Sequence, residues 1–215
     1  MTEFQPSDLP RIIELPLTRA DATAKDVEDV CRKAREQKLY SVCVPSSRVE
    51  LAASLLEDTE IKVTALVGVT GTEEVDVKRY ETEVSIDCGA QEIEVCLNVG
   101  KLKDGDKKYI LRELRDVAEA ADERIVKVEI RPRLLTREEI KLACELVLDS
   151  GAHFVSAKYI TSPNVEDIQA CREAIGPKFG LKAGEEILDN KTALALISAG
   201  ATRLSAGNGA YPLST

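Results

Sequence analysis

The sequence has no tryptophan, one histidine and one methionine, and aromatic residues make up only 4% of it. Nucleic-acid and carbohydrate sites use aromatic rings for stacking, so this scarcity argues against both. The 29 basic residues are outnumbered by 38 acidic ones, and the net charge is −9. No basic run occurs, and we therefore expect no nucleic-acid partner.

Long apolar runs are also missing, and none approaches the roughly 20 residues that a membrane helix requires. The first ten residues are polar and acidic, unlike a signal peptide. No CxxC pair occurs among the six cysteines, which lie in apolar surroundings. We expect reduced, buried thiols in a cytoplasmic protein without a membrane partner. A metal site is not expected, because zinc would need scattered cysteines as ligands.

The chain does contain a regular alternation of short apolar runs and amphipathic stretches. Eight runs rich in valine, isoleucine and leucine have the length of buried strands. They are Ile12–Leu15, Tyr40–Pro45, Lys62–Gly68, Glu92–Asn98, Ile125–Pro132, His153–Tyr159, Phe179–Gly184 and Ala201–Gly207.

Helix signals separate these runs. Thr136 and Glu139 form a T-x-x-E capping box, and Gly151 follows that helix as a stop. Strict alternation predicts parallel strands with right-handed crossovers, and eight units predict an α/β fold with a single (β/α)8 TIM barrel over residues 1–215. A doubly wound open sheet is the alternative, although no GxGxxG or P-loop follows an early strand.

Charged residues alternate with apolar ones along several predicted strands. If the apolar faces meet the helices, the charged faces point into the barrel. These charges are Glu94, Lys127, Glu129, Arg131, Lys158 and Lys182. They form either structural ion pairs or an active site at the carboxyl ends of the strands. A partly desolvated lysine near other cations can attack a carbonyl carbon.

Several segments, taken in order, resemble the deoxyribose-phosphate aldolase family. The resemblance extends over nearly the whole chain, and the joint order of the segments is specific for fold and ancestry. The segments are IELPLTRADAT (13–23), SVCVP (41–45), KRYETE (78–83), EIEVCLNVG (92–100), LLTREEIKLACE (134–145), GAHFV (151–155), GLKA (180–183) and GATR (200–203).

This resemblance implies a class I aldolase that reversibly cleaves 2-deoxyribose 5-phosphate to acetaldehyde and glyceraldehyde 3-phosphate, without a metal or other cofactor. In the family, a strand-six lysine forms a Schiff base, a strand-seven lysine lowers its pKa, and a strand-four aspartate relays protons. By position, Lys182 matches the strand-seven lysine and Glu94 replaces the aspartate. Glu14 and Cys43 match site positions on the first two strands.

The chain departs from the family at the Schiff-base position, where Ser156 stands in place of the lysine. Lys158 lies two residues further on and has the same parity, so its side chain begins roughly 6.6 Å closer to the strand's end. A serine cannot form a Schiff base. Lys158 is therefore either a displaced nucleophile or a solvated lysine at the rim.

The family's phosphate site is altered as well. The turn after strand seven reads Gly184-Glu185-Glu186, and its carboxylates would repel a phosphate dianion. The loop after strand eight still offers backbone N–H groups to an anion. Its candidate residues are Ser205, Gly207 and Gly209. Arg131 either supplies a cation to a relocated anionic group or pairs with Glu94 or Glu129.

Two functional hypotheses follow. In the first, the chain is a metal-free aldolase with Lys158, Lys182 and Glu94 as catalytic residues. The Schiff base forms on Lys158 or Lys182, Glu94 relays protons, and the substrate is a small aldehyde or sugar phosphate. Ser156 and Arg131 then belong to the substrate site. In the second, the chain is an inactive member of the family that acts as a binding or regulatory protein. The resemblance also implies a homodimer.

Overall fold

The computed structural model describes residues 6–159, 163–184 and 189–207. Its eight strands are parallel and close into a barrel in chain order, which confirms the predicted (β/α)8 fold. The strands are β1 Ile13–Pro16, β2 Ser41–Pro45, β3 Lys62–Val67, β4 Glu92–Cys96, β5 Ile125–Ile130, β6 Phe154–Lys158, β7 Gly180–Gly184 and β8 Arg203–Ser205. Each coincides with one predicted apolar run.

Helices connect successive strands around the outside of the barrel. They are α1 Ala24–Gln37, α2 Val49–Leu56, α3 Val75–Asp87, α4 Val99–Lys103, α5 Lys107–Ala120, α6 Arg137–Leu148, α7 Val165–Ile175 and α8 Asn190–Ser198. The capping box predicted from Thr136 and Glu139 is present at the start of α6. Within the described ranges, none of these helices is both long and apolar enough to cross a bilayer.

The apolar core lies between the barrel and the helices. On β5, Val126, Val128 and Ile130 are buried in this layer, while Lys127 and Glu129 alternate with them and form ion pairs inside the barrel. This two-residue alternation follows from the pleat of a strand. The interior of the barrel is therefore polar and the layer around it is apolar.

A buried ion pair in the helix layer fixes the loop between β3 and α3. The Lys78 Nζ donates to Glu113 Oε2 at 2.8 Å and to the carbonyl oxygens of Gly71 at 3.1 Å and Cys96 at 2.8 Å. Both charged side chains are fully buried. The pair thus ties this loop to the end of β4, on the side of the barrel where the carboxyl ends of the strands meet.

We expect Lys78→Met to destabilise the fold by about 3–5 kcal/mol, because Glu113 would remain as an unpaired buried charge. Urea unfolding at neutral pH measures this change. The matched control is Arg79→Met on the same helix, whose pair with Glu83 is about half exposed and is worth less than about 1 kcal/mol. Equal losses for the two variants would contradict the assignment.

Candidate active site

Lys127 lies in the middle of the barrel and binds residues from three other strands. Its Nζ donates to Glu14 Oε2, to Thr64 Oγ1 at 3.0 Å and to Glu92 Oε2 at 2.9 Å. Lys127 and Glu14 are fully buried. Lys127 therefore supplies one of the positive charges that offset the buried carboxylates of Glu14 and Glu92.

Arg203 closes the barrel at the amino ends of the strands. Its Nη1 donates to Glu92 Oε2 at 2.8 Å, and its guanidinium carbon lies 3.9 Å from the centre of the Tyr40 ring and 4.6 Å from that of Phe154. The Tyr40 hydroxyl donates to the same carboxylate at 2.7 Å. These stacked groups form a floor below the charges of the interior.

Lys182 lies one layer above Lys127 and bridges two strands. Its Nζ binds Glu14 Oε1 and, at 2.5 Å, Glu94 Oε2. Burial lowers the pKa of Lys182, but the two carboxylates outweigh this effect and raise it well above the usual range. Burial likewise raises the pKa of Glu14, and Lys127 and Lys182 reverse this to leave it well below its usual value. Lys182 is therefore an ammonium cation at neutral pH.

Ser156 and Cys43 complete the surroundings of Glu94. The Ser156 hydroxyl donates to Glu94 Oε1 at 2.6 Å, and the Cys43 thiol lies 3.8 Å from Oε2. Burial, together with Glu14 and Glu94, raises the pKa of Cys43 well above its usual value, so the thiol is neutral. Ligand atoms of Glu14, Cys43 and Glu94 lie within 4.8 Å of one another, but Lys182 already binds both carboxylates.

A second charge cluster lies at the mouth of the barrel. Glu129 accepts from Arg131 Nε at 3.1 Å through one oxygen and pairs with Lys158 Nζ at 3.2 Å through the other. Arg131 also donates to the carbonyl of Val69 at 2.8 Å. The Glu129 side chain is 1% exposed, whereas that of Lys158 is 21% exposed. Lys158 therefore reaches both solvent and the interior.

A narrow cavity of about 10 Å³, close to the room that one water molecule requires, opens between these two clusters. It is lined by Pro16, Thr18, Cys43, Leu66, Glu94, Glu129, Ser156, Lys158, Lys182, Gly184 and Ser205. The three residues predicted as catalytic thus share one cavity.

The remaining predicted substrate residues lie around this cavity or outside the described ranges. Glu14 is below it, bound to Lys182, and Arg131 pairs with Glu129 as one of the alternatives stated. Gly207 is buried two residues beyond the lining residue Ser205. Gly209 and the pair Glu185–Glu186 fall outside the residues that the structure describes.

Comparison with curated proteins identifies the family of this chain. The chain is 43% identical to the deoxyribose-phosphate aldolase of Alkaliphilus oremlandii over 204 residues, covering 93% of this chain and 92% of that protein. It is 42% identical over 207 residues to the enzyme of the same name from Exiguobacterium sibiricum, covering 94% of each. The chain belongs to the deoxyribose-phosphate aldolase family. The family predicted from the sequence segments is therefore confirmed.

Solved structures agree on the fold of this aldolase-family barrel. The structure named QR15, an aldolase, is 26% identical and has a TM-score of 0.88 over 94% of this chain and 92% of its own. The deoxyribose phosphate aldolase of Aeropyrum pernix, described as tetrameric, is 21% identical and has a TM-score of 0.88, covering 97% of this chain and 91% of its own. No family model matches the sequence.

Sequence reasoning assigned no role at the site to Glu129, although it placed this carboxylate in the interior. Parity alone did not distinguish Glu129 from Lys127, which lies two residues before it on the same face of β5. The lining residues Leu66 and Thr18 were also missed, since apolar or small side chains give no chemical signal. His153, the single histidine of the sequence, accepts a hydrogen bond at Nδ1 from the Val126 N–H at 3.1 Å.

We expect Lys182→Met to destabilise the protein by about 3–5 kcal/mol at pH 7, because two buried carboxylates would lose a cation. Glu14 stabilises the fold above its unfolded pKa of 4.5, and this contribution is lost as the pH falls through its lower folded pKa. The variant raises that folded pKa, so the difference from wild type should shrink in acid. Urea unfolding across pH 3–7 measures the trend.

The control for this experiment is Lys141→Met, which removes an exposed lysine 3.9 Å from Glu145. Its effect should stay within about 0.5 kcal/mol at every pH. A loss for Lys182→Met that is the same at pH 3 and pH 7 would argue against a role of this ammonium in keeping Glu14 ionised.

Proposed function

We propose that the chain is a Schiff-base aldolase that reversibly cleaves a sugar phosphate into two aldehydes, with 2-deoxyribose 5-phosphate as the expected substrate. One observation supports this most strongly. The amine of Lys158, the ammonium of Lys182 and the carboxylate of Glu94 all border one cavity at the carboxyl ends of the strands. Active sites of (β/α)8 enzymes lie at this end of the barrel.

Lys158 is the residue that we assign as the nucleophile. Lys182 binds two carboxylates and is 5% exposed, so its nitrogen has no lone pair available for attack. Ser156 has a hydroxyl group, which cannot form an imine. Lys158 lies closer to the mouth, where a carbonyl carbon can reach its Nζ although the cavity below it is narrow.

Glu94 is assigned to proton transfer at the carbon next to the imine. Its carboxylate borders the cavity and is bound by Lys182 and Ser156, which fix both of its oxygens. The space for one water between Glu94 and the mouth suits a relay in which that water passes the proton. Lys182 supplies a fixed positive charge below the reacting groups.

The substrate's phosphate is assigned to the segment after β8. Ser205 borders the cavity, and the segment continues through Gly207, whose backbone N–H groups suit an anion. We include the homodimer and the cytoplasmic location in this proposal. The free thiols of all six cysteines are consistent with a reducing compartment, and sedimentation velocity measures the oligomeric state.

We expect borohydride to trap acetaldehyde on Lys158 of the wild-type protein, and Lys158→Met to abolish the adduct. Peptide mass spectrometry locates the modified lysine. The same variant should lose cleavage of 2-deoxyribose 5-phosphate, measured by coupled detection of glyceraldehyde 3-phosphate, because no other lysine takes over imine formation.

The matched control is Lys103→Met, which changes an exposed lysine that pairs with Glu139 at the surface. Trapping confined to scattered surface lysines, at the rate seen with an unrelated protein, would overturn the proposal and favour a binding protein with an aldolase fold.

A second variant tests the position of the amine. In Lys158→Met, the further change Ser156→Lys places a lysine beside Glu94 and opposite Lys182 in the strand register. We expect this double variant to regain trapping, now on residue 156, because that position borders the same cavity. A folded double variant that forms no adduct would show that residue 156 is not a competent position for the amine.

A further inference from the structure

Glu129 has a carboxylate that neither the family resemblance nor the proposed roles assign to a task. We infer that Glu129 is the proton acceptor and donor for Lys158 during formation of the imine, and that Arg131 positions it. This inference rests on the proposed function, because it supposes that Lys158 is the nucleophile. The geometry supports it. One Glu129 oxygen lies 3.2 Å from Lys158 Nζ, and the other accepts from Arg131 Nε at 3.1 Å.

Burial sets the charge balance of this cluster. Glu129 is almost fully buried, so its negative charge requires compensation inside the protein. Arg131 supplies one positive charge and Lys158, when protonated, a second. The nearby Cys96 thiol adds none, because burial and then Glu129 raise its pKa well above the usual range.

A single carboxylate faces two basic side chains in this cluster. Arg131 and Lys158 approach different oxygens of Glu129, so Arg131 offsets part of the attraction between Glu129 and the Lys158 ammonium. Lys182 differs in this respect, since it lies between two carboxylates.

The proton transfers balance as follows. Lys158 gives one proton to Glu129, and the neutral amine then forms a C–N bond with the aldehyde carbon. A second proton passes from nitrogen to the former carbonyl oxygen, which gives a carbinolamine. Glu129 returns its proton to the hydroxyl group, which leaves as water when the C=N bond forms. Glu129 is again ionised, and the iminium nitrogen keeps one hydrogen.

Arg131 is placed to hold Glu129 during these steps. Its guanidinium also donates to the carbonyl oxygens of Val69 at 2.8 Å and Thr70 at 3.5 Å, in the loop between β3 and α3. This loop is itself tied to β4 through Lys78 and Gly71. Arg131 therefore holds the Glu129 carboxylate in a fixed position beside Lys158. Proton transfer requires this positioning of the two groups.

The test measures the rate of borohydride trapping of acetaldehyde on Lys158. We expect Glu129→Gln, which keeps the shape but cannot exchange the proton, to slow this rate by about 10²-fold or more. Glu129→Asp should retain part of the rate, since its shorter side chain keeps the carboxylate. Glu129→Ala should regain rate when formate is added, because formate can occupy the vacated space and accept the proton.

The control is Glu92→Gln, an equivalent change to a buried carboxylate at the opposite end of the barrel, where it pairs with Lys127 and Arg203. It should lower stability without slowing the trapping on Lys158. Urea unfolding of each variant confirms that the compared proteins are folded under the conditions of the assay.

The outcomes separate this inference from the proposed function. If wild type forms no adduct on Lys158, the proposed function fails. If wild type forms the adduct and Glu129→Gln forms it at the same rate, the nucleophile stands and the role of Glu129 is wrong. A slow Glu129→Ala variant that formate does not accelerate would likewise indicate that Glu129 only shapes the site.

Discussion

The ammonium group of Lys182 is the contact on which the interior of this barrel depends. It joins Glu14 on β1 to Glu94 on β4, and thereby links strands on different sides of the barrel. Barrel interiors of this fold are commonly filled by valine, isoleucine and leucine. Here charged side chains fill the same space, and each is costly to desolvate unless its partners are in place. The interior therefore acts as one set of groups that must form together.

This arrangement divides the interior into a buried base and a partly exposed mouth. Lys127, Glu92 and Arg203 are bound to one another far from solvent and supply a constant field. Lys158 and Glu129 lie where the strands end, and one-fifth of the Lys158 side chain is exposed. The base therefore holds the lower part of the interior in place and does not contact the groups at the mouth.

The sequence was sufficient to predict the barrel and which side chains point into it, because both follow from periodicity. The alternation on β5 placed Lys127 and Glu129 inside, and the structure has them there. Pairing partners were not predictable in this way. Lys127 could reach several carboxylates, and the tilt of the strands decides that it binds Glu14, which is 113 residues away. The contact of Arg131 with Val69 depends on a loop whose path no periodic pattern encodes.

The serine at position 156 and the surroundings of Lys182 are physically connected. A lysine at position 156 would lie opposite Lys182 in the strand register, and two ammonium groups would then compete for Glu94. With serine there, the hydroxyl occupies one oxygen of Glu94 and Lys182 takes the other. Lys158, two residues further along β6, instead pairs with Glu129, which also binds Arg131. Under the proposed function, a carboxylate paired with an arginine takes the place of the neighbouring lysine, and Ser156, Lys158, Glu129 and Arg131 form one coupled change of the site.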